Sequence, residues 1–249
     1  MKTLTDLESV RWKRQIQIPQ FGTEAQQRLK ESTVAVLGVG AIGGASALYL
    51  AAAGIGRLIL ADRDVVELSN LNRQILFTTD DLGKSKAQLA GKRLQELDPG
   101  VETQVVVCDI GEEELPGLLG DCNFVLCCFD KNKSRFLVNW ECVRRNLPAT
   151  YGFAQDFSGE LITSLPGKTA CLACIMDDSF PEPEETPIIG PASGIVGIAM
   201  AAAAIRYLTE IGELMAGYRL VYDLAFPELL KIPLERNPAC PVCGRKDLG

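Results

Sequence analysis

The sequence predicts an α/β protein with a Rossmann-like doubly wound mixed sheet, parallel in its N-terminal half and antiparallel in its C-terminal half. Three observations predict it: an apolar strand entering a glycine turn at TVAVLGVGAIGG, a second apolar strand ending on Asp62, and hairpin-like patterning beyond Leu147. Ahead of the first strand, Thr23 and Gln26 have capping-box spacing and predict a helix over 24–30. After the second strand the pattern predicts a helix over 84–96, a strand over 102–107, a short helix over 112–119, a strand over 124–127 and a helix over 132–145. Asp130 then falls at the carboxyl end of a strand, where open α/β sheets bind ligands. Strands over 159–165, 219–225 and 229–235 make the sheet mixed. The uncharged run 188–205 is rich in Gly and Ala and contains Pro191, so it reads as a buried core helix starting near Ser193, not a membrane span. Residues 177–191 hold five acidic residues and four prolines and read as a mobile surface loop.

The glycine turn supplies the first chemistry. Gly38, Gly40, Ala41 and Gly43 lie where backbone N–H groups approach a phosphate, and a side chain there would block the approach. Asp62 lies near the distance at which such folds keep a carboxylate for ribose hydroxyls. Glycines and acid alone favour a dinucleotide. Arg73 and Lys86 shift the reading to ATP, because these cations can reach the β- and γ-phosphates of a triphosphate and a nicotinamide cofactor needs neither.

Composition narrows the classes further. A net charge of −7 argues against nucleic-acid or anionic-membrane surfaces. Residues 1–13 are polar and charged with no apolar signal-peptide core, which points to a cytoplasmic protein. The chain has no histidine, so Ser-His-Asp and Cys-His catalysis are excluded. Of nine cysteines, Cys171 and Cys174 form one CxxC pair and Cys240 and Cys243 another. Two such knuckles complete the four-thiolate set that zinc prefers, and a closed set implies a structural metal. Cys108, Cys122, Cys127, Cys128 and Cys142 fall in or beside apolar segments and read as buried small residues.

The motifs together resemble the ThiF/MoeB/HesA family of ubiquitin-activating-enzyme-like adenylyltransferases. The resemblance runs from Arg11-Trp12-Lys13-Arg14-Gln15 through GVGAIG, Asp62, SNLNRQ (Ser69 to Gln74), Gly83-Lys84-Ser85-Lys86 and Asp130 to the two CxxC pairs. It implies that one domain spans 1–249, with an N-terminal helical arm (1–32), a nucleotide-binding half (33–150) and a carrier-binding and zinc half (151–249). It also implies that Asp62 holds the ribose, that Asn70, Arg73, Gln74 and Lys86 line the nucleotide's phosphate side, that Asp130 holds Mg2+, and that Arg14 reaches the neighbouring subunit's site in a homodimer. The implied activity is ATP-dependent adenylation of the C-terminal glycine carboxylate of a small ubiquitin-like sulfur carrier ending in Gly-Gly, with sulfur delivered later by an external donor. A NAD-binding oxidoreductase and a non-catalytic module that docks a ubiquitin-like partner are the alternatives. Cys127-Cys128-Phe129-Asp130-Lys131 departs from the family's usual Asp-Cys-Thr-Asp-Asn, and Trp12 stands for its tyrosine. The loop over 177–192 lacks the cysteine that sulfur-handling members often carry there.

Overall fold

A computed structural model describes residues 3–177 and 186–244. The chain opens with α1 (Asp6–Arg11), α2 (Lys13–Ile16) and α3 (Gly22–Glu31). There follow β1 (Thr33–Leu37), α4 (Ala41–Ala52), β2 (Arg57–Ala61), α5 (Lys86–Leu97), β3 (Glu102–Val106), α6 (Glu114–Leu118), β4 (Phe124–Cys127) and α7 (Asn132–Arg144). The second half holds β5 (Ala149–Gln155), β6 (Ser158–Ser164), α8 (Gly190–Thr209), β7 (Tyr218–Asp223) and β8 (Glu228–Pro233).

All eight strands form one sheet in the order β3-β2-β1-β4-β5-β6-β7-β8. Pairing is parallel from β3 through β5 and antiparallel from β5 to β8. The chain reverses direction of travel across the sheet between β1 and β4, which register Leu37 against Cys127. That reversal opens a crevice at the strands' carboxyl ends.

Strand alternation builds two cores. Val34, Val36, Phe124 and Leu126 face one way, towards Leu50 of α4, Leu94 of α5 and Met200 of α8. Ala35, Leu37, Val125 and Cys127 face the other, with Leu115 of α6 and Val138 of α7. Helices on both faces confirm the doubly wound, mixed sheet.

Two local expectations need correction, and one strand is added. Thr23 and Gln26 do not cap a helix: α3 begins at Gly22 with no side-chain cap, and Gln26 is fully buried with its Nε2 donating to Ala53 O at 2.9 Å. Tertiary burial outweighs the local capping preference there. The apolar helix starts at Gly190, three residues before Ser193, because Pro191 fits the first turn, where its missing N–H costs nothing. β5 lies where the sequence pattern named no strand, and Gly152 stands at its centre. A Cβ at Gly152 would stand 2.5 Å from Met200 Sδ, so glycine lets α8 press against the sheet. α8 is long and apolar enough to cross a bilayer, yet half of its apolar window is buried in this core. Residues 178–185 of the expected surface loop lie outside the described residues. The segment after them is anchored, with Asp156 N–H donating to Pro187 O at 2.7 Å.

Candidate functional site

The glycine turn is built by close approach. Gly38 has φ +88, and a Cβ on it would stand 3.0 Å from Cys128 O at the end of β4. A Cβ on Gly43 would stand 1.8 Å from Gly38 O. Glycine at both positions lets α4 start directly against β1, leaving the helix N-terminus open towards the crevice.

Asp62 does more than its spacing implied. One carboxylate oxygen accepts the Val39 N–H of the glycine turn at 2.8 Å, and the other accepts the Asp64 N–H at 2.9 Å. The carboxylate thus pins the turn to the end of β2 and retains lone pairs for a further donor. Burial raises its pKa above the usual range, against the opposing pull of the Asp64 and Val39 N–H groups and the Lys86 charge.

Lys86 opens α5, which Ser85 caps by accepting the Gln88 N–H. Its Nζ lies 3.3 Å from Asp64 Oδ2, and its backbone N–H donates to Asp64 O at 3.0 Å. The Lys86 side chain is 7% exposed while that of Asp64 is 58% exposed, so the ammonium is presented from within the fold with a solvated acid as counter-ion.

The SNLNRQ segment forms a short 3-10 turn over Leu68–Asn70. Asn70 is buried and its Oδ1 accepts the Glu67 N–H at 3.2 Å, while its carbonyl accepts the Arg73 and Gln74 N–H groups. Arg73 Nη1 donates to Ser69 O at 2.8 Å and Asn72 Oδ1 at 2.9 Å. Gln74 is buried beneath Gly40, its Nε2 lying 3.5 Å from where a Gly40 Cβ would stand. Its Oε1 has no hydrogen-bond partner among the described residues. An orphaned buried acceptor beside a glycine cradle suits an incoming ligand donor.

Asp130 is exposed beyond the end of β4, in no ion pair among the described residues. Phe129 beside it packs against the glycine turn, its Cδ1 3.3 Å from the Gly38 Cβ position. Strand topology therefore places the glycine turn, Asp62 and Asp130 after the carboxyl ends of three neighbouring strands, β1, β2 and β4. Nearby, a cavity of about 250 Å³ is bordered by Ala41, Arg73 and Pro191 and adjoins one of about 430 Å³ bordered by Asn72, Asp156 and Phe157. Neither is lined by Asp62, Lys86 or Asp130.

Arg14 is not brought to this cluster through its own helix. It lies exposed on α2, which is tied to the far end of α4: Trp12 Nε1 donates to Ala52 O at 3.2 Å and Gln15 Nε2 to Ala53 O at 2.7 Å. The glycine turn stands at the other end of α4, about 18 Å away along a helix of this length.

The two CxxC pairs meet. The Sγ atoms of Cys171, Cys174, Cys240 and Cys243 all lie within 4.8 Å of one another, at 4.0 Å for Cys171 and Cys174, 3.7 Å for Cys171 and Cys240, and 3.3 Å for Cys174 and Cys243. A tetrahedral zinc with bonds of about 2.3 Å requires sulfur separations of about 3.8 Å, so the donor set fits that ion. Burial opposes ionisation of Cys240, yet the Cys243 and Val242 N–H groups and the neighbouring thiols bring it down to about 7.

Two contributors escaped the sequence reading. Asp64, paired with Lys86, was visible only as the second acid of Asp62-Arg63-Asp64. Asn139 of α7, beside Cys171, carried no signal at all.

Comparison with known proteins agrees with these features. The ThiF family model matches residues 12–242. The chain is 37% identical to a sulfur carrier protein adenylyltransferase of Thermus thermophilus, covering 96% of this chain and 92% of that protein. It is 36% identical to the sulfur carrier protein ThiS adenylyltransferase of Escherichia coli, covering 97% of each, and 32% identical to that organism's molybdopterin-synthase adenylyltransferase, covering 98% of this chain and 100% of that protein. Among solved structures, E. coli MccB with ATP superposes with a TM-score of 0.86 at 25% identity, covering 96% of this chain and 75% of that one. The glycine turn, the SNLNRQ segment and the paired cysteines thus sit in a family frame that spans nearly the whole sequence: the chain belongs to the ThiF family.

Proposed function

We propose that the protein adenylates the C-terminal glycine carboxylate of a small ubiquitin-like sulfur carrier, using ATP and releasing pyrophosphate. The observation that carries this reading is that the glycine turn, Asp62 and Asp130 follow the carboxyl ends of the adjacent strands β1, β2 and β4, with Asp62 bonded to the turn and the Lys86 charge acting on it. The carrier's carboxylate is already ionised at neutral pH and attacks the α-phosphorus without a general base, in keeping with a chain that has no histidine. Asp62 and the glycine turn hold the ribose and phosphates. Arg73, Lys86, Asn70 and Gln74 fix the phosphate side, where cations offset the charge that grows on the departing pyrophosphate. Asp130, an exposed carboxylate at the mouth of the crevice, would hold Mg2+, which neutralises phosphate charge when bound.

The C-terminal half, 151–249, is the carrier-binding part of this reading, and the four cysteines hold structural zinc that ties the tail to the middle of the chain. Arg14 acts on the second subunit of a homodimer, supported by its placement at the far end of α4. Transfer to an external sulfur donor follows adenylation, and nine cysteines without a disulfide suit a reducing, cytoplasmic setting.

ATP–pyrophosphate exchange with carriers ending in Gly-Gly tests the activity. Arg73→Ala, Lys86→Ala and Asp130→Ala should each lower exchange by at least about tenfold, and about a hundredfold (roughly 3 kcal/mol) for an essential phosphate-binding arginine. Full activity in Arg73→Ala would sink the assignment, and NAD binding in place of ATP would favour the oxidoreductase.

A further inference from the structure

Asn139 is wholly buried on α7 and uses both ends of its carboxamide. Its Oδ1 accepts the Leu172 N–H at 2.9 Å and the Tyr151 hydroxyl at 3.4 Å. Its Nδ2 lies 3.7 Å from Cys171 Sγ, at donor distance to sulfur. Leu172 belongs to the first knuckle and Tyr151 to β5, so this one side chain joins α7, the sheet and the cysteine cluster. A carboxamide can do this because its oxygen has two lone pairs and its nitrogen two donors. An apolar residue of this size would strand a buried N–H of the knuckle, which costs more than the bond returns when formed.

We infer that Asn139 is a positioning residue of the metal site: its N–H donates to the Cys171 thiolate while its oxygen docks the knuckle onto α7. The inference rests on the zinc reading of the four cysteines. Four thiolates around a divalent ion leave a net negative cluster, and burial makes that charge costly unless donors surround it. Donors just outside the ligand set orient the ligands and hold the metal, and losing one typically costs 10–100-fold in affinity. The placement carries a further consequence. Asn139 stands about two turns along α7 from Asn132, and α7 starts two residues after Asp130, so one helix spans from the candidate magnesium ligand to the cysteine cluster.

The test compares the full-length protein with Asn139→Asp and Asn139→Leu. Wild-type protein is first assayed for zinc; protein that purifies and reconstitutes without metal rejects the zinc reading itself and the inference with it. With about one zinc per chain in the wild type, release to a chromogenic chelator should be at least about tenfold faster in both variants. Cobalt-substituted protein gives a readout that docking alone does not move: without the N–H donor the thiolate becomes electron-richer, so its charge-transfer band should shift to lower energy. Tyr151→Phe, which removes only a donor to the oxygen end, should leave that band in place. Release within twofold of wild type and an unmoved cobalt band in both variants would overturn the inference while leaving the zinc reading intact. Where neither variant folds, NMR of the wild type decides. The Asn139 side-chain amide proton should change chemical shift between zinc- and cadmium-loaded protein, and an unchanged shift counts against it.

Discussion

Gly43 lies directly beneath the carbonyl of Gly38, so closely that a Cβ on Gly43 would stand 1.8 Å from that oxygen. The first turn of α4 packs onto the first residue after β1, and only the absence of a side chain at Gly43 permits it. Gly43→Ala must therefore push the helix start away from the strand. A loss of at least about 2 kcal/mol is expected, which lowers the melting temperature by several degrees in a chain of this size. ATP affinity should fall with it. Gly44→Ala is the control, since its Cβ would meet Leu76 and Val39 at 3.4 Å and needs only slight adjustment. Equal melting temperatures for the two variants would contradict the geometry.

Much of this site was legible because local pattern and tertiary role coincide. The β1 and β4 runs are almost wholly apolar and are buried throughout, as strands covered on both faces must be, and their ends precede Gly38 and Asp130. The paired cysteines announced a shared site by spacing alone, though only folding could join them across 69 positions. Gln26 misled because its role is long-range: it reaches Ala53, and that contact replaces the cap its spacing suggested. The β5 strand carries Gly152 at its centre, where a side chain would meet Met200, and its reason for being glycine is tertiary. Asn139 was invisible for a related reason. Its three partners come from β5 and the first knuckle, and no local motif accompanies it.

Asp62 makes the site sensitive to acid. Burial raises its pKa in the folded state, so its contribution to stability is fully present below the unfolded value and is lost as pH rises through the folded one. Ribose binding by Asp62, as proposed, needs the charged acceptor and runs the other way, weakening as pH falls through that raised value. The ATP KM of the wild type should climb on the acid side at a pH above the ordinary aspartate range. Asp62→Asn should show a higher KM at neutral pH and no such limb once the two proteins are compared at each pH, which cancels titration of ATP itself. Parallel profiles would remove Asp62 from ribose recognition.

On the proposed reading, Arg14, exposed on α2, acts in the second subunit of a homodimer. Chains carrying Arg14→Ala and chains carrying Asp130→Ala should each be inactive alone. Mixed under conditions where subunits exchange, they should regain up to one competent site per heterodimer. No recovery despite demonstrated exchange would show that Arg14 works within its own chain or not at all.

The cysteine cluster should behave as one unit. Elemental analysis should find about one zinc per chain, and Cys240→Ser should lose it and melt at lower temperature, because metal binding and docking of the tail are coupled. Chelation of the wild type should reproduce the lowered melting point. Metal-free protein with unchanged melting would reject a structural zinc.

The remaining cysteines bear on how the acyl adenylate ends. A cysteine that took over the carrier would need to be exposed and readily ionised, since the thiolate is the nucleophile. None of the five meets both demands. Burial pushes the Cys122 thiol up to about 12 and that of Cys127 to about 11, and it raises Cys128 and Cys142 well above the usual range. Cys108 is raised as well, by burial and by the Glu114 and Asp109 charges. The other four point into the cluster, and residues 177–192 contain none. The adenylate should therefore persist on the enzyme until an external sulfur donor or thiol attacks it. Mass spectrometry under non-reducing conditions, after incubation with ATP and carrier, should show carrier-AMP and no enzyme–carrier conjugate. A thiol-sensitive adduct on Cys127, Cys128 or any other cysteine would overturn this, and would require that residue to become both exposed and ionised during the reaction.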